Sequence, residues 1–217
     1  MDDDLKKTMA RVVDLSRSRA NMPTSESEST LTPHPHRIRE MLRRAGVPRR
    51  FLQARRGDFD PAVFNAAEGF LAGRSEGIFV HGPTGTGKTH FGVAVLSEIL
   101  SESETGSARF VTVPSLLMEI RATFKDSSPC SEEDLIRRFA DLDILVLDDL
   151  GAEKNTDWAM QTLYLIVDRR YSDMRQTIIT SNHGLDGIAE RVGERIASRL
   201  AGMCRIISLE GNDRRIA

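Results

Sequence analysis

Two short segments hold most of the chemistry in this chain. Residues Gly82, Pro83, Thr84, Gly85, Thr86, Gly87, Lys88 and Thr89 fit the pattern G-x-x-x-x-G-K-[ST] in full. The glycines let the backbone turn so tightly that successive N–H groups converge on an anion at a helix start, the geometry that cradles a polyphosphate. In such a loop Lys88 bridges the β- and γ-phosphates, and the Thr89 hydroxyl is a ligand for Mg²⁺. His90 follows directly and belongs with residues 82–89 to the expected nucleotide-binding set.

The second segment, Asp143 to Asp149, is an apolar run that ends in two adjacent carboxylates. Placed at the C-terminal edge of a buried strand, they stand where α/β sheets bind ligands. Asp148 is expected to hold Mg²⁺ through its water shell, and Asp149 to orient or deprotonate an attacking water. Together the two segments predict nucleoside triphosphate hydrolysis. Asp149 is one methylene shorter than a glutamate, which favours slow, switch-like turnover.

Three further groups extend the site. Asn182 ends the apolar run Thr177–Ser181 and could hydrogen-bond a γ-phosphate or the attacking water. Arg195 and Arg199 are four residues apart, on one helix face, where one of them could reach a phosphate bound by a neighbouring subunit. Arg214 and Arg215 are further candidate phosphate sensors. Arg121, Phe124 and Lys125 form a basic-aromatic cluster suited to single-stranded DNA. His81, His183, Trp158 and Tyr164 read as packing residues, and His34 and His36 as linker residues.

These groups need a scaffold, and the pattern supplies a βαβ alternation. Strands are expected at 78–81, 109–113, 144–147, 177–180 and 205–209. Helices are expected from the glycine loop to about 101, then at 115–124, 132–140, 157–171 and 191–200. Five strands with helical crossovers predict a three-layer α/β fold with a parallel sheet, here assigned to residues 58–217. Residues 1–36 divide into an amphipathic helix near 4–20 and a small, polar linker. Residues 37–57 form an arginine-rich collar, since Arg37, Arg39, Arg43, Arg44, Arg49, Arg50, Arg55 and Arg56 face a single acid, Glu40, over 37–56. Such a surplus attracts a phosphate backbone or an acidic protein surface.

Composition narrows the class. In 217 residues, 30 Lys+Arg stand against 32 Asp+Glu, so this is no generally polybasic chain. Two cysteines, Cys130 and Cys204, are too few for a disulfide framework or a cysteine zinc site. No apolar run is long enough to cross a membrane, and the acidic opening Met1-Asp2-Asp3-Asp4 suits no signal peptide, so a cytoplasmic protein is expected.

Taken together, the residues resemble the DnaC/IstB-like branch of the AAA+ ATPases. The resemblance covers about residues 45–215. It rests on Gly46 to Phe51, the glycine loop, Leu147 to Lys154, Asp168-Arg169-Arg170-Tyr171, Thr180-Ser181-Asn182, Gly193 to Leu200 and Leu209 to Arg214. It implies ATP as the nucleotide, ATP-dependent homo-oligomers, Asn182 as sensor 1, and Arg199 as the trans-acting finger with Arg195 beside it. It also implies a DNA replication protein that binds a hexameric replicative helicase and helps load it onto single-stranded DNA. The alternative within the branch is a transposition ATPase that assembles on duplex DNA and stimulates a transposase. A small-molecule kinase is disfavoured, because no acceptor-site signature accompanies the glycine loop. The chain departs from several relatives in lacking cysteines before Cys130, so a zinc module is not expected and helicase contact falls to residues 4–20 or the collar. It also stops soon after the last strand, so no C-terminal helical lid is expected and the roles of Arg214 and Arg215 stay open.

Overall fold

The computed structural model describes residues 35–102, 107–125 and 129–211. The amphipathic segment 4–20, the linker up to His34, Arg214 and Arg215 lie outside the described residues, whereas His36, read as a linker residue, lies in the helix Pro35–Arg44.

Strands β1 (Gly77–His81), β2 (Ala108–Thr112), β3 (Ile144–Leu150), β4 (Gln176–Ser181) and β5 (Cys204–Ser208) form one parallel sheet in the order β2-β3-β4-β1-β5. The helices are α1 (Pro35–Arg44), α2 (Lys88–Glu102), α3 (Val113–Arg121), α4 (Glu132–Asp141), α5 (Asp157–Ser172), α6 (Leu185–Val192) and α7 (Glu194–Met203), and short helical turns fill residues 49–71. Because side chains alternate along a strand, the sheet faces two cores. Ile78, Val80, Val146 and Ile178 pack with α1 and α2, whereas Phe79, Leu145, Leu147 and Ile179 pack with α3 to α7. This is the expected three-layer fold.

The strand order decides the site. β4 lies between β1 and β3, so the loop after β1, the carboxylates of β3 and the tip of β4 open on the same edge of the sheet. Gly82 makes that edge possible: a Cβ there would lie 2.1 Å from the Leu209 carbonyl oxygen, and its φ is +147°. The close approach is fixed by a hydrogen bond from Leu209 N–H to His81 O of 2.8 Å.

Three local features differ from the periodicity. Residues 185–203 form two helices rather than one over 191–200, because Gly193 breaks the run at φ +113°. Helix α3 begins earlier than expected: the Thr112 side chain accepts the Ser115 N–H, and a proline occupies the first turn. The arginine-rich stretch is also part of the fold. Leu42, Val47, Leu52 and Ala54 are buried in the core that holds α2, so the collar's cations project from an anchored framework. Arg56 is tied at 2.6 Å to Glu68, and Arg55 at 3.4 Å to Asp58.

Arg170 is fully buried on α5. Its guanidinium donates to the carbonyls of Phe139, Ala140 and Leu142 at the end of α4, to Gln176 O at the start of β4, and to the Thr177 hydroxyl. Burial pushes its pKa down to about 10, with Arg175 adding to the fall and Asp143 and Asp141 opposing it. The planar fork thereby fastens a helix end and a strand end with one side chain.

Candidate active site

A cavity of about 500 Å³ opens at the C-terminal edge of β1, β3 and β4. Thr84, Gly85, Gly87, Lys88, Thr89 and His90 line it, with Asp149 and Asn182 opposite and Arg50 and Phe51 from the collar. Gly82, Pro83 and Thr86 do not line the cavity, but they shape its loop. The Thr86 hydroxyl donates to Pro83 O at 2.9 Å and the Lys88 Nζ donates to the same oxygen at 2.7 Å. Gly85 and Gly87, which line the cavity, take φ +84° and +95°, a left-handed backbone that glycine adopts without a Cβ clash. An oxygen already sits on the buried Lys88 ammonium, and a phosphate oxygen is the same kind of acceptor.

Asp148 is buried behind Thr89. Its Oδ2 accepts the Thr89 hydroxyl at 3.2 Å, and its Oδ1 accepts the Thr180 hydroxyl at 2.6 Å. Burial, with the adjacent Asp149 charge, pushes the Asp148 pKa up to about 6, against the pull of Thr180, Thr89 and Lys88. A buried carboxylate beside a hydroxyl suits a divalent cation, whose charge offsets the cost of burial. Among the described residues no cluster of three His, Cys, Asp or Glu side chains could hold a metal by itself. The Thr89 hydroxyl and the Asp148 carboxylate are hard oxygen donors 3.2 Å apart, the kind of pair that would hold Mg²⁺.

Consecutive strand residues point to opposite faces, so Asp148 and Asp149 could not share a site on a regular strand. A register shift between Leu147 and Leu150 breaks the β3–β4 ladder there. Asp149 takes φ +59°, and its N–H donates to Thr180 Oγ1 at 3.1 Å. The bulge re-aims the second carboxylate into the cavity. Thr180 thus contacts both acidic residues, a role its type in an apolar strand did not announce.

His90 reaches the cavity rim but is committed elsewhere: its Nε2 lies 2.7 Å from Asp58 Oδ2, and its ring packs against Phe51 and Phe59. The His90 hydrogen bond holds the Asp58 carboxyl below its ordinary pKa. His183 packs against the glycine turn at Gly151 and against α6, and His81 stacks on Phe79.

Arg195 and Arg199 are not part of the cavity's lining. Both flank the Tyr164 ring, at 5.9 and 5.6 Å. Arg199 donates from Nε to Asp168 Oδ1 at 2.8 Å and from Nη2 to the Tyr164 hydroxyl at 3.3 Å. Tyr164 is therefore more than a packing residue. At the end of α3, Phe124 is 53% exposed and meets Trp158 edge-on at 5.6 Å. Arg121 lies over the Trp158 ring at 4.7 Å.

Comparison with known proteins agrees with this architecture. The family model described as "IstB-like ATP binding protein" matches residues 66–217. The replicative helicase loader DnaC of Escherichia coli K12 is 31% identical over 119 residues, 55% of this chain and 47% of that protein. DnaC of Buchnera aphidicola subsp. Acyrthosiphon pisum is likewise 31% identical over 119 residues, with 55% and 48% covered. The chain spans about half the length of the curated relatives it matches. Among solved structures, the DnaC helicase loader superposes with a TM-score of 0.64 at 24% identity, covering 75% of this chain and all of that one. DnaI gives 0.64 at 25% identity, with 75% and 94% covered. With its glycine loop on β1, its acidic bulge on β3 and a match over most of its length, the chain belongs to the IstB-like ATP-binding family, in the DnaC/IstB branch of the AAA+ P-loop ATPases.

Proposed function

We propose that this protein is an ATP-hydrolysing replication protein that binds a hexameric replicative helicase and helps place it on single-stranded DNA. The 3.2 Å contact between Thr89 and Asp148 carries the enzymatic part, because it joins the two motifs into one site. Loop amides from Gly85 to Thr89 bind the phosphates, and Lys88 exchanges the Pro83 carbonyl for a phosphate oxygen. Thr89 and Asp148 would hold Mg²⁺, which when bound neutralises charge on the β- and γ-oxygens. Asp149 orients the attacking water or takes its proton, and Asn182 hydrogen-bonds that water or the γ-phosphate. Arg199, with Arg195 beside it, serves a nucleotide in an adjoining copy, in keeping with its place outside its own cavity. ATP-dependent self-assembly follows from that division of labour.

The loader role is supported by relatives named as replicative helicase loaders. For single-stranded DNA, exposed Phe124 offers a stacking face beside Arg121 and Lys125. Arg37, Arg39, Arg49 and Arg50 make no ion pair among the described residues and so offer cations to a phosphate backbone or to the helicase. The cytoplasm is the compartment where these partners meet.

A second reading, an ATPase that assembles on duplex DNA and stimulates a transposase, draws on the IstB-like family match. Mixing the protein with its host's replicative helicase, with and without ATP, separates the two by size exclusion with light scattering. A joint complex supports the loader. ATP-dependent oligomers on duplex DNA without any joint complex overturn it in favour of the second reading.

A further inference from the structure

The arginine read as a trans-acting finger is already held in place by its own subunit. Arg199 stands on α7, and α5 grips it at three points: Asp168 at 2.8 Å, the Tyr164 hydroxyl at 3.3 Å, and the Tyr171 ring with the guanidinium carbon 5.7 Å from its centroid. Tyr164 supplies a second ring face at 5.6 Å. A guanidinium has five N–H donors, and these contacts use two of them. Arg195, one turn earlier, makes no hydrogen bond or ion pair among the described residues, and its guanidinium lies over the Tyr164 ring at 5.9 Å. Gly202 adds an independent sign that the Tyr171 ring is seated beside α7: a Cβ at 202 would come within 3.1 Å of Tyr171 Cε2.

A long cation that must reach across a subunit boundary loses side-chain freedom when it does so. Contacts that fix its direction beforehand lower that loss and leave the remaining donors for the phosphate. We infer that Asp168, Tyr164 and Tyr171 are positioning residues for Arg199, aiming its free N–H groups at the γ-phosphate bound by an adjoining copy. The inference rests on the reading of Arg199 as a trans-acting finger. Arg170, two residues beyond Asp168, anchors α5 in the core and gives the clamp a rigid base. Tyr164 and Tyr171 act through ring faces and one hydroxyl, and Asp168 acts through its charge.

The test mixes two inactive full-length variants and measures ATP hydrolysis. Lys88→Ala keeps Arg199 but lacks its own ATP site, so it acts as donor. Arg199→Ala keeps the ATP site but lacks the finger, so it acts as acceptor. Mixed assemblies are expected to regain activity. Adding Asp168→Asn to the donor should lower the regained kcat roughly tenfold with KM unchanged, and Tyr164→Phe or Tyr171→Leu in the donor should lower it less. Asp168→Asn in the acceptor, whose Arg199 is already gone, is the reference for any general effect on folding or assembly. An equal loss in both arms makes Asp168 merely structural and overturns the inference. Full recovery with Asp168→Asn in the donor overturns it too. No recovery in the parent mixture removes the trans-acting reading itself, and the clamp with it.

Discussion

The hydroxyl of Thr180 stands 2.6 Å from Asp148 Oδ1 and couples β4, the middle strand of the site, to the buried carboxylate on β3. The same oxygen accepts the Asp149 N–H at 3.1 Å, so one side chain on β4 sets both acids on β3. Thr180→Val keeps the shape and removes both partners. It should lower kcat about tenfold and destabilise the fold by about 1–3 kcal/mol, the usual penalty for orphaned buried polar groups. Thr180→Ser should restore most of both, measured by steady-state hydrolysis and urea unfolding. Unchanged kcat for the valine variant would contradict the assigned role.

Asp148 also makes a pH prediction. Its pKa rises from 3.8 unfolded to about 6 in the fold. Between those values the folded state binds the proton more tightly than the unfolded state, so this group's contribution to stability is present below about pH 4 and lost as pH rises through about 6. Without nucleotide or metal, Asp148→Asn should therefore match the parent near pH 4 and be more stable at pH 7.5, by roughly 2 to 3 kcal/mol. Denaturant unfolding across that range checks it. A stability difference independent of pH would contradict the buried-carboxylate account.

Arg170 is expected to matter for stability rather than turnover. Arg170→Met leaves four carbonyls and the Thr177 hydroxyl without their donor, at about 3 kcal/mol or more. Arg170→Lys should rescue little, because a single ammonium cannot reproduce the fork. Chemical unfolding measures the loss, and nucleotide affinity well below the midpoint should stay near the parent's.

The collar prediction concerns salt. Replacing Arg37, Arg39, Arg49 and Arg50 by alanine should weaken single-stranded DNA binding. If all four touch phosphates, the salt dependence should flatten by up to about 3 in log–log slope. Fluorescence anisotropy at several salt concentrations reads both. Unchanged affinity and slope would leave DNA binding to the Phe124 cluster.

How much of this was legible in the sequence follows from the range of each interaction. The glycine loop and the apolar run ending in Asp148 are local patterns, and the five strands sit where alternation and apolar runs place them. Thr180 and Asp168 lie in family-like segments whose residue types give neither a role. Their partners lie 32 and 31 residues away in sequence, so spacing could not pair them. The bulge that turns Asp149 inward is a property of the β3–β4 register, which no single strand reveals. Arg170 stands beside Arg169 in the segment Asp168–Tyr171, and nothing in their types distinguishes the two. Only the convergence of α4, α5 and β4 shows that one of the two is buried. In the collar, Leu42, Val47 and Leu52 lie scattered among the arginines with no strong periodicity, yet they anchor it in the core.

The most direct test of the account is calorimetric titration of the full chain with Mg²⁺ and a slowly hydrolysed ATP analogue, beside Lys88→Ala. The geometry at Lys88 and Thr89 predicts one nucleotide per chain, bound at least tenfold more weakly by the variant, as expected for loss of a charged hydrogen bond. Equal affinity for parent and variant, or no binding by the parent, would contradict the assignment of this cavity as the ATP site.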